Sequence, residues 1–301
     1  MQENQSLSSD VHKKSNISFC PLCNKHGSFD YKATTALDLN KTNFKILRCN
    51  NCQIRWISPQ PNPDEIDQLY NECYFESCER DYSYKEQILD TGSCFKGTAK
   101  KFKELTSSKG RILDIGCATG EFLSELKKIE LSGVGIDVSK YACQIAREKG
   151  LLVIHGNMHS TQLDNMKYIG IHISHVLEHL PNLNDALIRI RDIIDNKGVV
   201  YIEVPYQFDS ILDKTNLALK RQQAKFSPFS VHHTYFFTPY SLKLLLEKHG
   251  FDLLSLTTYR SCKREGRPFS FRKLLLLGFL YLSDRVFSRG DIISAWACLR
   301  D

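Results

Sequence analysis

The sequence predicts an α/β protein with a mostly parallel seven-stranded sheet, helices on both faces, and a small cysteine-bearing segment in front. Three observations carry this. After Gly110, apolar strand-like runs alternate with amphipathic helical ones, the pattern of a sheet covered by helices. The first of those strands, Arg111–Ile115, runs directly into a tight glycine-containing turn. Cys20 with Cys23 and Cys49 with Cys52 form two C-x2-C pairs.

Each element can be placed in order. A helix follows the glycine turn through about Lys128, and Gly133–Val138 is a second strand. Ser139 offers an N-cap to a helix that stops at Gly150. Leu151–His155 and Tyr168–His175 are strands three and four, and Asn184–Asn196 is an amphipathic helix with Ile or Leu at 187, 188, 190, 193 and 194. Val199–Val204 is a fifth strand. Thr238-Pro239 provides an N-cap and a first-turn proline for a helix ending at His249-Gly250. Asp252–Thr258 and Asp291–Leu299 are β-prone and supply the last two strands. Upstream, Phe19–Gln60 reads as short strands closed by the proline-rich 59–63 run, and 64–105 as mostly helical and rich in Tyr.

Composition narrows the class. With 301 residues, 42% hydrophobic and 25% charged, the chain has ample length for a core and is not a disordered, coiled-coil or collagen sequence. The polar stretch 1–14 has no apolar signal-peptide region, and the longest apolar run, Leu274–Leu282, is about half a bilayer crossing. The expectation is a cytoplasmic protein whose cysteines are thiols or metal ligands rather than disulfides. The net charge of +6 is local: 259–290 holds eight basic and two acidic residues, so the rest is neutral.

The most informative segment is Asp114-Ile115-Gly116-Cys117-Ala118-Thr119-Gly120. A strand, a glycine turn and a helix start let backbone N–H groups face a closely approaching ligand. Twenty-three residues after Asp114 comes Asp137, at the end of the next strand, where a carboxylate can bind both hydroxyls of a ribose. The nicotinamide-type turn G-x-G-x-x-G does not fit this spacing. The sequence here resembles the class I S-adenosylmethionine-dependent methyltransferases, whose domain is Rossmann-like. Asp114, Gly116, Ala118 and Gly120 match their first motif, and Asp137 their ribose-binding acid. Gly156-Asn157-Met158 matches the loop beside the adenine. His175-Val176-Leu177-Glu178-His179-Leu180-Pro181 matches the segment after their fourth strand. Ala118 stands where glycine is commoner and Asn157 where Asp is commoner. The resemblance implies S-adenosylmethionine held by Asp114, Gly116, Ala118, Gly120, Asp137, Asn157 and Met158.

The two cysteine pairs lie 25 residues apart, a spacing at which four thiolates converge tetrahedrally on Zn2+. Cys20, Cys23, Cys49 and Cys52 leave no open position, so the zinc is expected to be structural. The other cysteines, at 73, 78, 94, 117, 143, 262 and 298, show no metal spacing and read as small buried apolar residues. A zinc ribbon, a proline pair, a Tyr-rich helical segment and then the methyltransferase pattern resembles bacterial methyltransferases of surface-polysaccharide and sugar-nucleotide pathways.

After the fourth strand come His175, Glu178 and His179, which would share a face if the chain turned helical there. Val231-His232-His233-Thr234 adds two histidines in a later loop; His233 is taken as the site residue, and His232 could equally be the inward one. Loops at this end of such a sheet border the ligand site. An alcohol acceptor needs its proton taken by a base or its oxygen bound to a metal. His175, Glu178, His179 and His233 are therefore the candidate catalytic residues. Glu178-His179 with His233 resembles metal-dependent 2′-O-methyltransferases of small RNAs, and the ubiquinone-pathway O-methyltransferases share the Glu-His pair. That resemblance implies a second divalent metal, although those families carry an acid where this chain has His175.

The expected organisation is a disordered leader at 1–18, a zinc ribbon at 19–60, a helical linker at 61–105 and a methyltransferase domain at 106–301. A basic-apolar insertion at 260–290 has two readings: peripheral contact with an anionic membrane at the inner membrane surface, or a helix packed on the domain or at a dimer interface. The expected acceptor is a hydroxyl-bearing small molecule, a sugar or glycan precursor, methylated on oxygen. Two rivals are an RNA methyltransferase with a zinc finger and a non-catalytic cofactor-binding protein. The surplus of Lys25, Lys32, Lys41, Lys45, Arg48 and Arg55 over Asp30 and Asp38 is modest for nucleic acid.

Overall fold

The computed structural model describes residues 18–33, 44–60, 84–106, 109–164, 167–209, 233–259 and 290–300. The leader, most of the insertion at 260–290, the first part of the helical linker, His232, Cys73, Cys78 and Cys262 lie outside the described residues. Three antiparallel strands come first: β1 (Ser28–Ala33), β2 (Phe44–Arg48) and β3 (Arg55–Ser58). Helix α1 spans Tyr84–Leu105. The alternating region follows as β4 (Arg111–Ile115), α2 (Glu121–Lys128), β5 (Ser132–Asp137), α3 (Lys140–Glu148), β6 (Val153–His155), β7 (Tyr168–Ser174), α4 (Leu183–Ile193) and β8 (Ile194–Pro205). The chain closes with β9 (Tyr235–Phe236), α5 (Pro239–Lys248), β10 (Phe251–Tyr259) and β11 (Ile292–Leu299).

The seven-stranded sheet runs β10-β11-β8-β7-β4-β5-β6. The five strands from β6 to β8 are parallel, and β11 is antiparallel to both β8 and β10. The order reverses at β4, whose carboxyl end meets the β7 end, and ligands bind at such a switch point. Side chains alternate between two buried layers with the period of a strand. Ile112, Val199 and Tyr201 join Phe102 of α1, Phe122 and Leu126 of α2 and Cys143 and Ala146 of α3. Leu113, Val200, Ile202 and Val204 join Leu187 and Ile190 of α4 and Leu242 and Leu245 of α5.

Local signals set the helix ends. Ser139 Oγ accepts from the N–H of Ala142 at 3.2 Å, and Thr238 and Ser241 form a capping box ahead of Pro239. One boundary differs from the sequence reading. The amphipathic pattern suggests a helix through Asn196, but α4 stops at Ile193 because Ile194 pairs with Tyr168 and a bulge then brings Val199 opposite Gly170. Pairing with β7 outweighs the helical periodicity there.

The four-stranded sheet runs β1-β2-β3-β9, so a strand from beyond residue 230 completes the cysteine-bearing segment. Cys20, Cys49, Cys52, Ile54 and Trp56 belong to the same buried cluster as Leu187, Leu242 and Leu245. Asn184 Nδ2 donates to the Pro21 carbonyl at 3.1 Å, and Lys248 Nζ to the Leu22 carbonyl at 2.8 Å. Among the described residues no helix is long and apolar enough to cross a membrane.

Candidate active site

The turn after β4 is built on left-handed backbone. Gly116 has φ 72° and Gly120 φ 85°, and a Cβ on Gly116 would sit 2.3 Å from Val176 Cγ2. Ala118 adopts φ 46°, a conformation that strains a side-chain-bearing residue. It is retained where its N–H donates to Asp137 Oδ2 at 2.8 Å, while Oδ1 of the same carboxylate accepts from Ser139 N–H at 2.8 Å. Burial raises the Asp137 pKa, partly offset by these two backbone donors. Each carboxylate oxygen keeps lone pairs for a further donor such as a ribose hydroxyl.

Asp114 has a partner of its own. Its Oδ1 lies 2.7 Å from His172 Nδ1, and the pair is buried with the imidazole stacked 3.8 Å from Phe122. Asp114 therefore ties β4 to β7 at the strand position just ahead of the turn. Asn157 Oδ1 accepts from His159 N–H at 2.9 Å, and the carbonyl of the buried Met158 accepts from Arg189 Nε at 2.9 Å, which fixes the loop after β6.

Past β7 the chain is not helical through 175–179. His175 sits at φ 55°, a single 3-10 turn covers Leu177–His179, and Leu180 is extended ahead of Pro181. The residues still converge. Glu178 is 1% exposed, and its Oε1 lies 3.4 Å from His175 Nδ1, 3.7 Å from His179 Nε2 and 3.8 Å from His233 Nε2. Neither Glu178 oxygen has a hydrogen-bond partner among the described residues, a costly state for a buried carboxylate. Burial would raise its pKa, but His175, His179 and His233 outweigh that and hold it at about 2. His175 is also 3.3 Å from Glu203 Oε1. Its side chain is 46% exposed, and although partial desolvation would lower its pKa, the two carboxylates win and lift it to about 10. The two carboxylates thus favour the protonated form of His175.

The cysteines form a second cluster. Their four sulfurs lie within 4.8 Å of one another, and Cys23 Sγ is 3.6 Å from Cys49 Sγ. Tetrahedral Zn2+ with Zn–S bonds of about 2.3 Å requires about 3.8 Å between sulfurs, so the geometry is compatible with zinc. Backbone N–H groups of Leu22 and Cys52 donate to Cys20 and Cys49 sulfurs at 3.4 and 3.3 Å. Burial would raise the Cys23 thiol, but donors from Cys52, Lys25 N–H, Cys49 and Cys20 bring it to about 7. Of the other cysteines, Cys117 and Cys143 are buried and Cys298 is partly so.

The sequence pattern of a family described as a methyltransferase domain matches residues 87–256, more than half of the chain. The chain belongs to this methyltransferase family. Its fold is that of S-adenosylmethionine-dependent methyltransferases. One from Archaeoglobus fulgidus is 20% identical, with a TM-score of 0.52 over 71% of this chain and 97% of that one. The plantazolicin methyltransferase BamL, solved with a triazolic desmethylPZN analogue and SAH, is 18% identical, with a TM-score of 0.52 over 78% and 96%. A chain of the complex containing the Haloferax volcanii Trm112 methyltransferase activator is 13% identical, with a TM-score of 0.54 over 76% and 96%. No curated protein matches the chain.

In this methyltransferase the sequence reading missed three polar residues. Glu203 accepts from the Tyr201 and Tyr259 hydroxyls at 2.6 and 2.5 Å as well as facing His175. Its signal was legible, since it is the lone acid inside the apolar strand Val199–Val204. Gln207 Oε1 lies 2.8 Å from His233 Nδ1, and Asp209 pairs with Arg55. Neither has a local signature.

Proposed function

We propose that this methyltransferase moves the methyl group of S-adenosylmethionine to a hydroxyl of a sugar or glycan precursor. The donor is read as lying over the Gly116–Gly120 turn, with its ribose on Asp137 and its adenine beside Asn157 and Met158. The observation that carries the acceptor reading is the buried Glu178 carboxylate, which has no hydrogen-bond partner among the described residues and faces three imidazoles. A sulfonium methyl is already activated, so an amine or enolate acceptor needs little beyond alignment. A hydroxyl needs its proton removed, and a carboxylate-backed imidazole does that. With the protonated form of His175 favoured, His179 and His233 remain as bases, and Glu178 stabilises the imidazolium formed.

A second reading keeps the same acceptor. Glu178, His179 and His233 offer ligand atoms within 4.8 Å of one another, a set that suits a divalent cation. Such an ion would lower the pKa of a bound hydroxyl. We assign zinc at Cys20, Cys23, Cys49 and Cys52 a structural role. An RNA acceptor is disfavoured because Arg55, one of the few basic residues of the cysteine segment, is buried in an ion pair rather than offered to phosphate. Membrane contact through 260–290 remains part of the proposal, since a lipid-linked glycan would be presented there.

The test is labelled methyl transfer from S-adenosylmethionine to sugar nucleotides, lipid-linked glycans and RNA, with and without chelator. Transfer to a sugar hydroxyl is the expected result. Signal on RNA alone overturns the acceptor, and chelator-insensitive transfer overturns the second metal. Donor binding with no transfer to any of the three would favour a binding role.

A further inference from the structure

We infer that Arg55, on the cysteine-bearing segment, is a positioning residue for the acceptor site: it clamps the 207–209 turn, through which Gln207 fixes the ring of His233. The inference rests on the reading of His233 as an acceptor-facing residue. Arg55 is 178 positions from His233 in the chain, and nothing in its local sequence marks it.

The connection can be followed atom by atom. The Arg55 guanidinium is buried, with Nε donating to Asp30 Oδ2 and Nη1 to Asp209 Oδ2, both at 2.5 Å. Its carbon lies 5.0 Å from the centre of the Phe208 ring, which packs edge-on against Phe236. Phe208 has φ 71°, a costly conformation for an aromatic residue that persists only where its surroundings hold it. Arg55 supplies two of those contacts, one on the Phe208 face and one on the next residue, Asp209. The residue before Phe208 is Gln207, whose Oε1 is 2.8 Å from His233 Nδ1. An amide oxygen only accepts, so Nδ1 of His233 carries a proton, and when the ring is neutral its lone pair is on Nε2. That lone pair lies on the nitrogen 3.8 Å from Glu178 Oε1, the form needed for a base or a metal ligand.

The backbone reinforces this route. Arg55 and Trp56 pair with Phe236 and Tyr235, and Ile57 N–H donates to the Thr234 carbonyl at 3.0 Å. Thr234 in turn donates N–H and Oγ1–H to the Glu178 carbonyl, each at 2.9 Å. The ladder sets where His233 begins, and Arg55 sets which way its ring faces. The cysteine segment is therefore a wall of the acceptor site rather than a separate recognition module.

The experiment compares wild type with Arg55→Met, Arg55→Lys and Asp209→Asn. Protein labelled with 15N-histidine is read by long-range 1H–15N correlation, which distinguishes ring tautomers. The His233 ring should show a protonated Nδ1 in wild type and lose that preference in Arg55→Met. Arg55→Lys, which keeps the charge but not the two-carboxylate fork, should fall between. Turnover on the sugar acceptor should drop on the order of 100-fold, while S-adenosylhomocysteine affinity changes less than about threefold. If Arg55→Met does not fold, Asp209→Asn cuts the same clamp while leaving Arg55 on Asp30. An unchanged His233 signature in the variants that fold overturns the inference. If the tautomer is lost but His233→Ala turns over normally, the clamp stands and the acceptor reading falls instead.

Discussion

The backbone N–H of Ala118 donates to Oδ2 of Asp137 at 2.8 Å, so the turn after β4 and the acid ending β5 hold each other before any ligand arrives. Asp137→Asn places an amide donor against one of two backbone donors. Each charge-assisted bond of this kind is worth about 1.5–3 kcal/mol. We expect S-adenosylhomocysteine affinity to fall at least about tenfold by calorimetry, with a lower melting temperature. Unchanged binding would remove Asp137 from the donor site.

Ala118 at φ 46° suggests a stabilising exchange. Ala118→Gly relieves left-handed strain of about 1–2 kcal/mol and gives back about 0.5–1 kcal/mol in unfolded-state entropy. A net gain of up to about 1 kcal/mol should appear in denaturant melts. Gly116→Ala should do the reverse, because its Cβ meets Val176 at 2.3 Å in a residue with φ 72°. A stabilised Gly116→Ala would refute the turn geometry.

Zinc removal should act on the whole molecule. Cys20, Cys49 and Cys52 share a continuous core with α4 and α5, so a strong chelator or Cys52→Ser should lower one cooperative melting transition. A separate early transition, with the remainder unchanged, would mean the cysteine segment unfolds independently. Metal analysis of the native protein should return zinc bound by the four thiols.

The cluster around Glu178 gives a pH signature in chelated protein. Glu178 and Glu203 are lowered from 4.5 to about 2, so the stability they contribute is present above 4.5 and lost as pH falls towards 2. His175 is raised from 6.5 to about 10, so its contribution is complete below 6.5 and lost as pH climbs towards 10. The melting temperature should peak between 4.5 and 6.5, and Glu203→Gln should weaken both flanks. A profile that Glu203→Gln leaves unchanged would show that the His175–Glu203 pair carries no stability.

Local residue patterns account for the seven-stranded sheet and for which candidate site residues could be named from the chain. Strand and helix periods, the Ser139 and Thr238 caps, the Asp114–Gly120 turn, Asp137 and the four cysteines are local patterns. Their physics acts between residues a few positions apart, so it can be read along the chain. His175, Glu178 and His179 were legible as a group for the same reason, although a left-handed residue and a 3-10 turn, rather than a helix, bring them together. Packing between distant segments sets the pairing of Asp114 with His172, of Glu203 with His175, and of β9 with the cysteine-bearing sheet. It also decided that Arg55 meets Asp209 across 154 positions. A buried charge must find an opposite partner when the chain collapses, and which one it finds depends on how the two sheets meet, a relation with no period in the sequence.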